Sequence, residues 1–289
     1  MRSLRPHLGR AKRLTYSKML QLLVDYRWKV KGVDRSKSIN GQPPVLISVT
    51  SYPLRFATLN HTIKSLLLQD YENYHVNLWI GEDNINKVPK DVLDLCGERF
   101  TIKPCKDLRS FTKLVPALIE NPSRHIAIAD DDTYYWRSWL SELVGQLSQD
   151  GKIIPCHRAH RITFTESGNI KNYSAWDHEI SGACLGPDVF GTGVGGILYP
   201  PAIFDKRVTQ VEDFMRLCPT ADDVWFFWMA RLNNAMYKNI GGRRELYSWD
   251  NTQGATSLHK TNVIEGRNDA QIRAMLDEYG WPESLEIVE

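Results

Sequence analysis

No stretch of this chain is apolar for long enough to cross a bilayer. The longest such runs, "SLLL" near Leu67 and "VWFFWMA" at 224–230, fall far short of the roughly 20 residues a span needs. A soluble or peripheral protein is therefore expected. Cysteine is sparse too: Cys96, Cys105, Cys156, Cys184 and Cys218 form no C-x-x-C pair, and an odd number in a chain of 289 residues argues against a disulfide framework. A reducing, cytoplasmic setting follows. The opening "MRSLRPHLGRAKRL" has charge but no apolar core and no small-residue cleavage site, so no secretory signal is expected. Repeats of 20–50 residues and low-complexity tracts are also missing, which sets aside solenoids, propellers and disordered tails.

What is present is 42% hydrophobic residues and 10% aromatics, enough for a sizeable core. The net charge of +2 hides an asymmetry: residues 1–37 hold eleven Lys or Arg against Asp25 and Asp34, so the rest is acidic. Within that segment "YSKMLQLLVDYRWKV" places Met19, Leu20, Leu23, Tyr26 and Arg27 toward one side of a helix, with Leu22, Val24 and Trp28 widening the apolar face. Two outcomes stay open for residues 1–37, an anionic membrane surface as partner, on the inner face of the membrane, or a packed helix with a solvated basic tail. A terminal basic cluster on an acidic remainder does not suit nucleic acid.

"GQPP" at 41–44 breaks the chain and divides it into a basic segment, 1–40, and a globular part. "VLISVT" then has the apolar, β-branched character of a strand buried on both faces of a parallel sheet. A helix over 56–69 follows. "HVNLWI", "RFTIKP" and "HIAIA" are further strands, alternating with the helical "KDVLDLC", "FTKLVPALIE" and "WRSWLSELVGQLSQ". Such alternation predicts an α/β fold with a mostly parallel sheet flanked by helices. "KIIPC" and "HRITFTE" are strand candidates, and helices are expected near 202–217, 222–237 and 268–279. In such sheets ligands gather beyond the carboxyl ends of the strands, where Ser51–Arg55, Glu82–Asn84 and Asp130–Asp132 all fall.

The triplet Asp130, Asp131, Asp132 is the most informative feature. Adjacent carboxylates repel and raise one another's pKa unless a cation compensates, and a hard divalent ion is the expected compensator. Asp130 and Asp132 are one residue apart and can aim at the same edge. With 20 aspartates, one D-x-D is expected by chance, so position against an apolar strand is what favours a site over a solvated turn capped by Asp132 ahead of a helix at Trp136. In "CPTADDVWFFWMARL", Asp222 and Asp223 open an aromatic helix, either as an N-terminal cap or as a general base for a hydroxyl. His157 and His160 with Cys156 make poor zinc ligands without a second pair. "GTGVGG" at 191–196 lacks the Lys-Ser or Lys-Thr of a Walker loop and suits close backbone approach to a ligand, or a turn.

In order, these motifs resemble a family 2-like bacterial glycosyltransferase of the GT-A fold, across about residues 45–265. "VLISVTSYPLRFATLNHTIKSLLLQDY" is similar to that family's opening strand, nucleotide loop and first helix. "IADDDTYYW" is similar to its D-x-D region, and "ADDVWFFWMARL" to its catalytic acidic pair. The resemblance implies a nucleotide-binding half at 41–150 and an acceptor half at 151–289. Thr50, Tyr52 and Arg55 would flank the nucleotide, Asp83 would meet the base or ribose with Glu82 as its rival, and Lys113 would approach the diphosphate. Asp130 would hold the ribose and share the metal with Asp132, Asp131 would support them, and His259 would be a late metal ligand. Asp223 matches the catalytic base, beside Asp222. The implied reaction is inverting sugar transfer, with Mn²⁺ or Mg²⁺, from a nucleotide-sugar, expected to be a UDP-sugar although guanine stays open. The acceptor would be a hydroxyl of a glycan or lipid-linked acceptor in polysaccharide or lipopolysaccharide synthesis. Two other classes compete, a haloacid-dehalogenase-like phosphatase, whose D-x-D-x-T pattern Tyr134 breaks, and a non-catalytic membrane-surface binding protein.

Overall fold

The computed structural model describes residues 10–31, 41–242, 245–249 and 266–282. An eight-stranded sheet runs through the globular part in the order β3-β2-β1-β4-β9-β5-β10-β7. Its strands are β1 (Val45–Ser51), β2 (Tyr74–Gly81), β3 (Phe100–Cys105), β4 (His125–Ala129), β5 (Ile153–Cys156), β7 (Cys184–Gly186), β9 (Ile197–Tyr199) and β10 (Met236–Asn239). β6 (Ala159–Arg161) and β8 (Val189–Gly191) pair separately. β1 pairs in parallel with both β2 and β4, β2 with β3, and β5 with β10; β9 is antiparallel to β4 and β5, as β7 is to β10. The sheet is thus mostly parallel. β9 also ties the segment before residue 150 to the one after it.

Chain order fixes where a ligand site can form. After β1 the chain steps outward to β2 and β3, then returns to lay β4 on the other side of β1. Between β1 and β4 the connections leave in opposite directions, which opens a crevice at the strand ends. One face of this half is apolar: Val45, Ile47, Val49, Val76, Leu78 and Ile80 alternate along β1 and β2 and pack with α2 (Phe56–Leu67) through Leu59, Ile63 and Leu66. The second core gathers on α7 (Asp222–Arg231), whose Trp225, Phe226, Phe227 and Trp228 are all fully buried.

Several boundaries differ from expectation. The helix expected over 222–237 stops at Arg231, and Met236–Asn239 is β10; Asn234 takes a left-handed conformation (φ 59°) that turns the chain back into the sheet. "FTKLVPALIE" divides into a 3-10 turn, Arg109–Lys113, and α4 (Val115–Glu120), with Pro116 in the first turn where its missing N–H costs nothing. The helix beyond the triplet is shorter than expected: α5 spans Trp139–Val144. The remaining helices are α3 (Lys90–Leu93), α6 (Val211–Leu217) and α8 (Arg267–Tyr279).

Helix α1 (Arg10–Lys31) corrects the expected apolar side. Ser17, Leu20 and Val24 are buried and Trp28 is half-buried, whereas Met19, Leu23 and Tyr26 face out with Leu22. Leu20 and Val24 close over Trp249, with Tyr134 and Tyr247 at the edge. All five cysteines are free thiols. Among the described residues no helix is long and apolar enough to cross a membrane.

Candidate functional site

The acidic triplet sits in the β1/β4 crevice and is held from three directions. Ser51, the last residue of β1, donates its hydroxyl to Asp131 Oδ2 at 2.6 Å. Thr62 on α2 donates to the Asp131 carbonyl at 2.8 Å, and the Asp130 N–H donates to the Tyr135 hydroxyl at 2.6 Å. On the third side Thr133 bridges to Ser248, the Trp249 N–H donates to the Asp132 carbonyl at 2.8 Å, and the Trp249 ring nitrogen donates to Thr62 at 2.7 Å. Its backbone is over-determined, as a precise charge constellation requires.

Two cations of the chain compensate the charge. Arg55, at the end of the 3-10 turn Pro53–Arg55, bonds Asp132 Oδ2 closely and reaches Asp131 Oδ1 at 3.4 Å. Burial works against its charge, but the carboxylates of Asp132 and Asp131 outweigh it and hold the guanidinium above its ordinary pKa. Lys113 lies 3.3 Å from Asp130 Oδ1 and 3.6 Å from Asp222 Oδ2. Again burial opposes the charge, and Asp222, Asp130 and Asp223 together raise the ammonium well above its usual range. The triplet is therefore split: Asp132 and Asp131 face Arg55, while Asp130 faces Lys113. The alternative of Asp132 as a helix cap fails, because α5 begins seven residues later, behind Ser138.

Asp222 and Asp223 enter the same constellation from α7. Neither caps the helix, whose N-cap is Ala221. Asp223 Oδ1 instead accepts the Gly193 N–H at 3.0 Å. This explains the glycine passage: a Cβ on Gly193 would stand 3.1 Å from both Asp223 Oδ1 and Lys113 Nζ. Gly196, at φ +106°, lies against Trp139, whose ring a Cβ would meet at 2.5 Å. Burial first and the Asp222 charge second push Asp223 up to about 7, against the pull of Lys113 and the Gly193 N–H. Burial also raises Asp131 to about 6, with the Ser51 hydroxyl and Arg55 opposing. Asp222 Oδ2 is buried without a hydrogen-bond partner.

The structure thus unites Arg55, Lys113, Asp130, Asp131, Asp132, Asp222 and Asp223. Thr50, at the end of β1, is occupied with the Trp79 carbonyl at 3.1 Å. Tyr52 is exposed beneath Arg55, 5.9 Å from its guanidinium carbon to the ring centre. Asp83 is exposed on the 3-10 turn Glu82–Lys87 after β2. His259 lies outside the described residues. Ser51 and Gly193 act directly on the acidic groups; the sequence places them only within the strand-end stretch Ser51–Arg55 and the glycine passage 191–196, without a role of their own. The His157/His160 zinc option falls away: His160 Nδ1 accepts the Glu179 N–H at 2.9 Å, His157 Nε2 lies 3.0 Å from the Trp139 carbonyl, and among the described residues no three His, Cys, Asp or Glu converge on a metal site.

Carboxylate oxygens are the hard donors that Mg²⁺ and Mn²⁺ take. Among the described residues no three His, Cys, Asp or Glu side chains converge as a complete cage. Asp130 and Asp132 are divided between Lys113 and Arg55, so a shared ion, completed by phosphate oxygens and water, would have to displace both cations.

No family model matches this sequence, and no curated protein matches it. Among solved structures it is similar to the mannosyltransferase PcManGT from Pyrobaculum calidifontis in complex with GDP-Man and Mn²⁺, with a TM-score of 0.34 and 17% identity over 50% of this chain and 44% of that one. It is also similar to S. aureus TarS 1–349, with a TM-score of 0.45 and 11% identity over 81% of this chain and 66% of that one. The chain spans less than two thirds of either structure. Neither likeness assigns chemistry to this chain, which has to be read from its own residues.

Proposed function

We propose that this protein is a glycosyltransferase of GT-A type that moves a sugar from a nucleotide-sugar, a UDP-sugar in the first instance, to a hydroxyl of a glycan or lipid-linked acceptor with inversion. The observation that carries this reading is the pairing of two unlike acidic sites through one cation. Asp130 and Asp222 share Lys113 at 3.3 and 3.6 Å, so the end of β4 and the start of α7 meet in one charge constellation.

The roles divide by electrostatics. Asp223, pushed up to about 7, has the proton affinity of a general base working near neutral pH, and it would take the acceptor hydroxyl's proton as that oxygen attacks the anomeric carbon. The Gly193 N–H fixes its direction. Arg55 and Lys113 are the chain's own counter-charges for a diphosphate: each sits on carboxylates, and each can exchange such a contact for phosphate oxygens. Asp130 and Asp132 would hold Mn²⁺ or Mg²⁺, which when bound supplies positive charge to the departing diphosphate. Thr50, Tyr52 and Asp83 lie at or beyond the ends of β1 and β2, suited to the nucleoside. Residues 41–150 would serve the donor and the later part the acceptor.

The experiment separates binding from transfer. Purified wild type and Asp223→Asn are incubated with UDP- and GDP-sugars and candidate hydroxyl acceptors, while nucleotide binding is measured by calorimetry. Asp223→Asn should keep donor binding and lose transfer by about 10²–10⁴-fold. Full transfer by this variant would remove Asp223 as the base.

A further inference from the structure

Helix α1 carries two apolar faces and uses one. At 100° per residue, Ser17, Leu20, Val24 and Trp28 fall on the inner side, where Leu20 and Val24 meet Trp249. Met19, Leu22, Leu23, Tyr26 and Val30 fall together on the outer side, and they are 60%, 70%, 37%, 65% and 64% exposed. A helix that packs by one stripe is normally polar on the other. Here the border is cationic: Lys18 and Lys29 are both exposed beside the stripe. The acidic residue of α1, Asp25, is turned to α2, with Lys64 Nζ at 2.6 Å and His61 Nε2 at 3.3 Å. The outward surface therefore presents apolar and positive groups, in a segment whose eleven Lys or Arg outnumber its two Asp.

We propose that the outer stripe of α1 docks on an anionic lipid surface. Such a surface accepts the side chains of Met19, Leu22, Leu23, Tyr26 and Val30 at the acyl boundary while its headgroups pair with Lys18 and Lys29. A second copy of the chain fits less well, since pairing two such faces sets like charges against each other. α1 leans on Trp249, whose N–H holds the Asp132 carbonyl, and Arg27 Nη1 donates to the Tyr134 hydroxyl at 3.3 Å. This inference needs only the surface of α1 and holds whatever the chemistry of the cleft.

The test is co-sedimentation of the full chain with phosphatidylcholine vesicles, with and without roughly 30% phosphatidylglycerol. Wild type should bind the anionic vesicles, and Leu22→Ser/Tyr26→Ser should bind at least about tenfold more weakly with unchanged thermal unfolding, because both side chains already face solvent. Lys18→Gln/Lys29→Gln should also weaken binding and reduce its salt dependence. Vesicle binding that survives Leu22→Ser/Tyr26→Ser would overturn the proposal by assigning it to the basic tail alone. Absence of wild-type binding would overturn it as well. So would a concentration-dependent dimer abolished by the double serine variant without any vesicle binding, which would make the stripe a contact between copies.

Discussion

Lys113 and Asp222 stand 3.6 Å apart and join the turn before α4 to the first residue of α7. Lys113 is the counter-charge for three carboxylates at once, so Lys113→Met leaves them facing one another in a buried site. Removing one partner of such a group costs on the order of 3–5 kcal/mol. The loss should be largest at pH 8 and shrink as the pH falls, because protonating Asp223 relieves the repulsion. Denaturant unfolding of both proteins from pH 5 to 8 checks this; a pH-independent loss would mean that Lys113 acts through packing.

The proton affinity of Asp223 has a consequence for stability. Its folded pKa, about 7, lies above the ordinary value of 3.8. The sign follows: the native state binds the proton more tightly, so stability from this group is present below pH 4 and is lost as the pH rises toward 7. Asp223→Asn escapes that loss and should gain on wild type by roughly 2–4 kcal/mol between pH 4 and 8. The transfer rate of wild type should rise across the same limb, since a base works ionised. Parallel melting and rate profiles measure both, and a flat stability difference would place the Asp223 pKa in the ordinary range.

Arg55 occupies Asp132, one of the two carboxylates proposed to hold a divalent ion. Arg55→Gln should therefore weaken nucleoside diphosphate binding about tenfold while Mn²⁺ alone binds more tightly, as Asp132 loses its competitor. Calorimetry for the nucleotide and electron paramagnetic resonance for free Mn²⁺ separate the two. A fall in both affinities would make Arg55 a structural brace.

Gly193→Ala adds one methyl group 3.1 Å from Asp223 Oδ1 and Lys113 Nζ. Those side chains must shift by a few tenths of an ångström, which should lower kcat about tenfold while the folded state persists. Unaltered kcat would show that the position of Asp223 is not critical.

Much of this was legible because local physics dominates locally. The apolar runs of β1, β2 and β4 are visible in "VLISVT", "HVNLWI" and "HIAIA", and the triplet announced itself by its electrostatic cost. Pairing was harder. That β4 returns beside β1, bringing Ser51 to Asp131 and Arg55 to Asp132, depends on long-range sheet order that no window of residues contains. For the same reason, neutralisation by Arg55 and Lys113 was not visible where a divalent ion was expected. The end of α7 did leave a trace: Asn233-Asn234 is a turn signal, outweighed by the apolar residues around it.

The most direct test of the central claim is calorimetric titration of UDP and GDP into wild type and Asp132→Ala, each with and without Mn²⁺. The crevice between β1 and β4 should give wild type a diphosphate affinity that Mn²⁺ strengthens at least about tenfold, and Asp132→Ala should lose that gain. Equal affinity in all four conditions would contradict it.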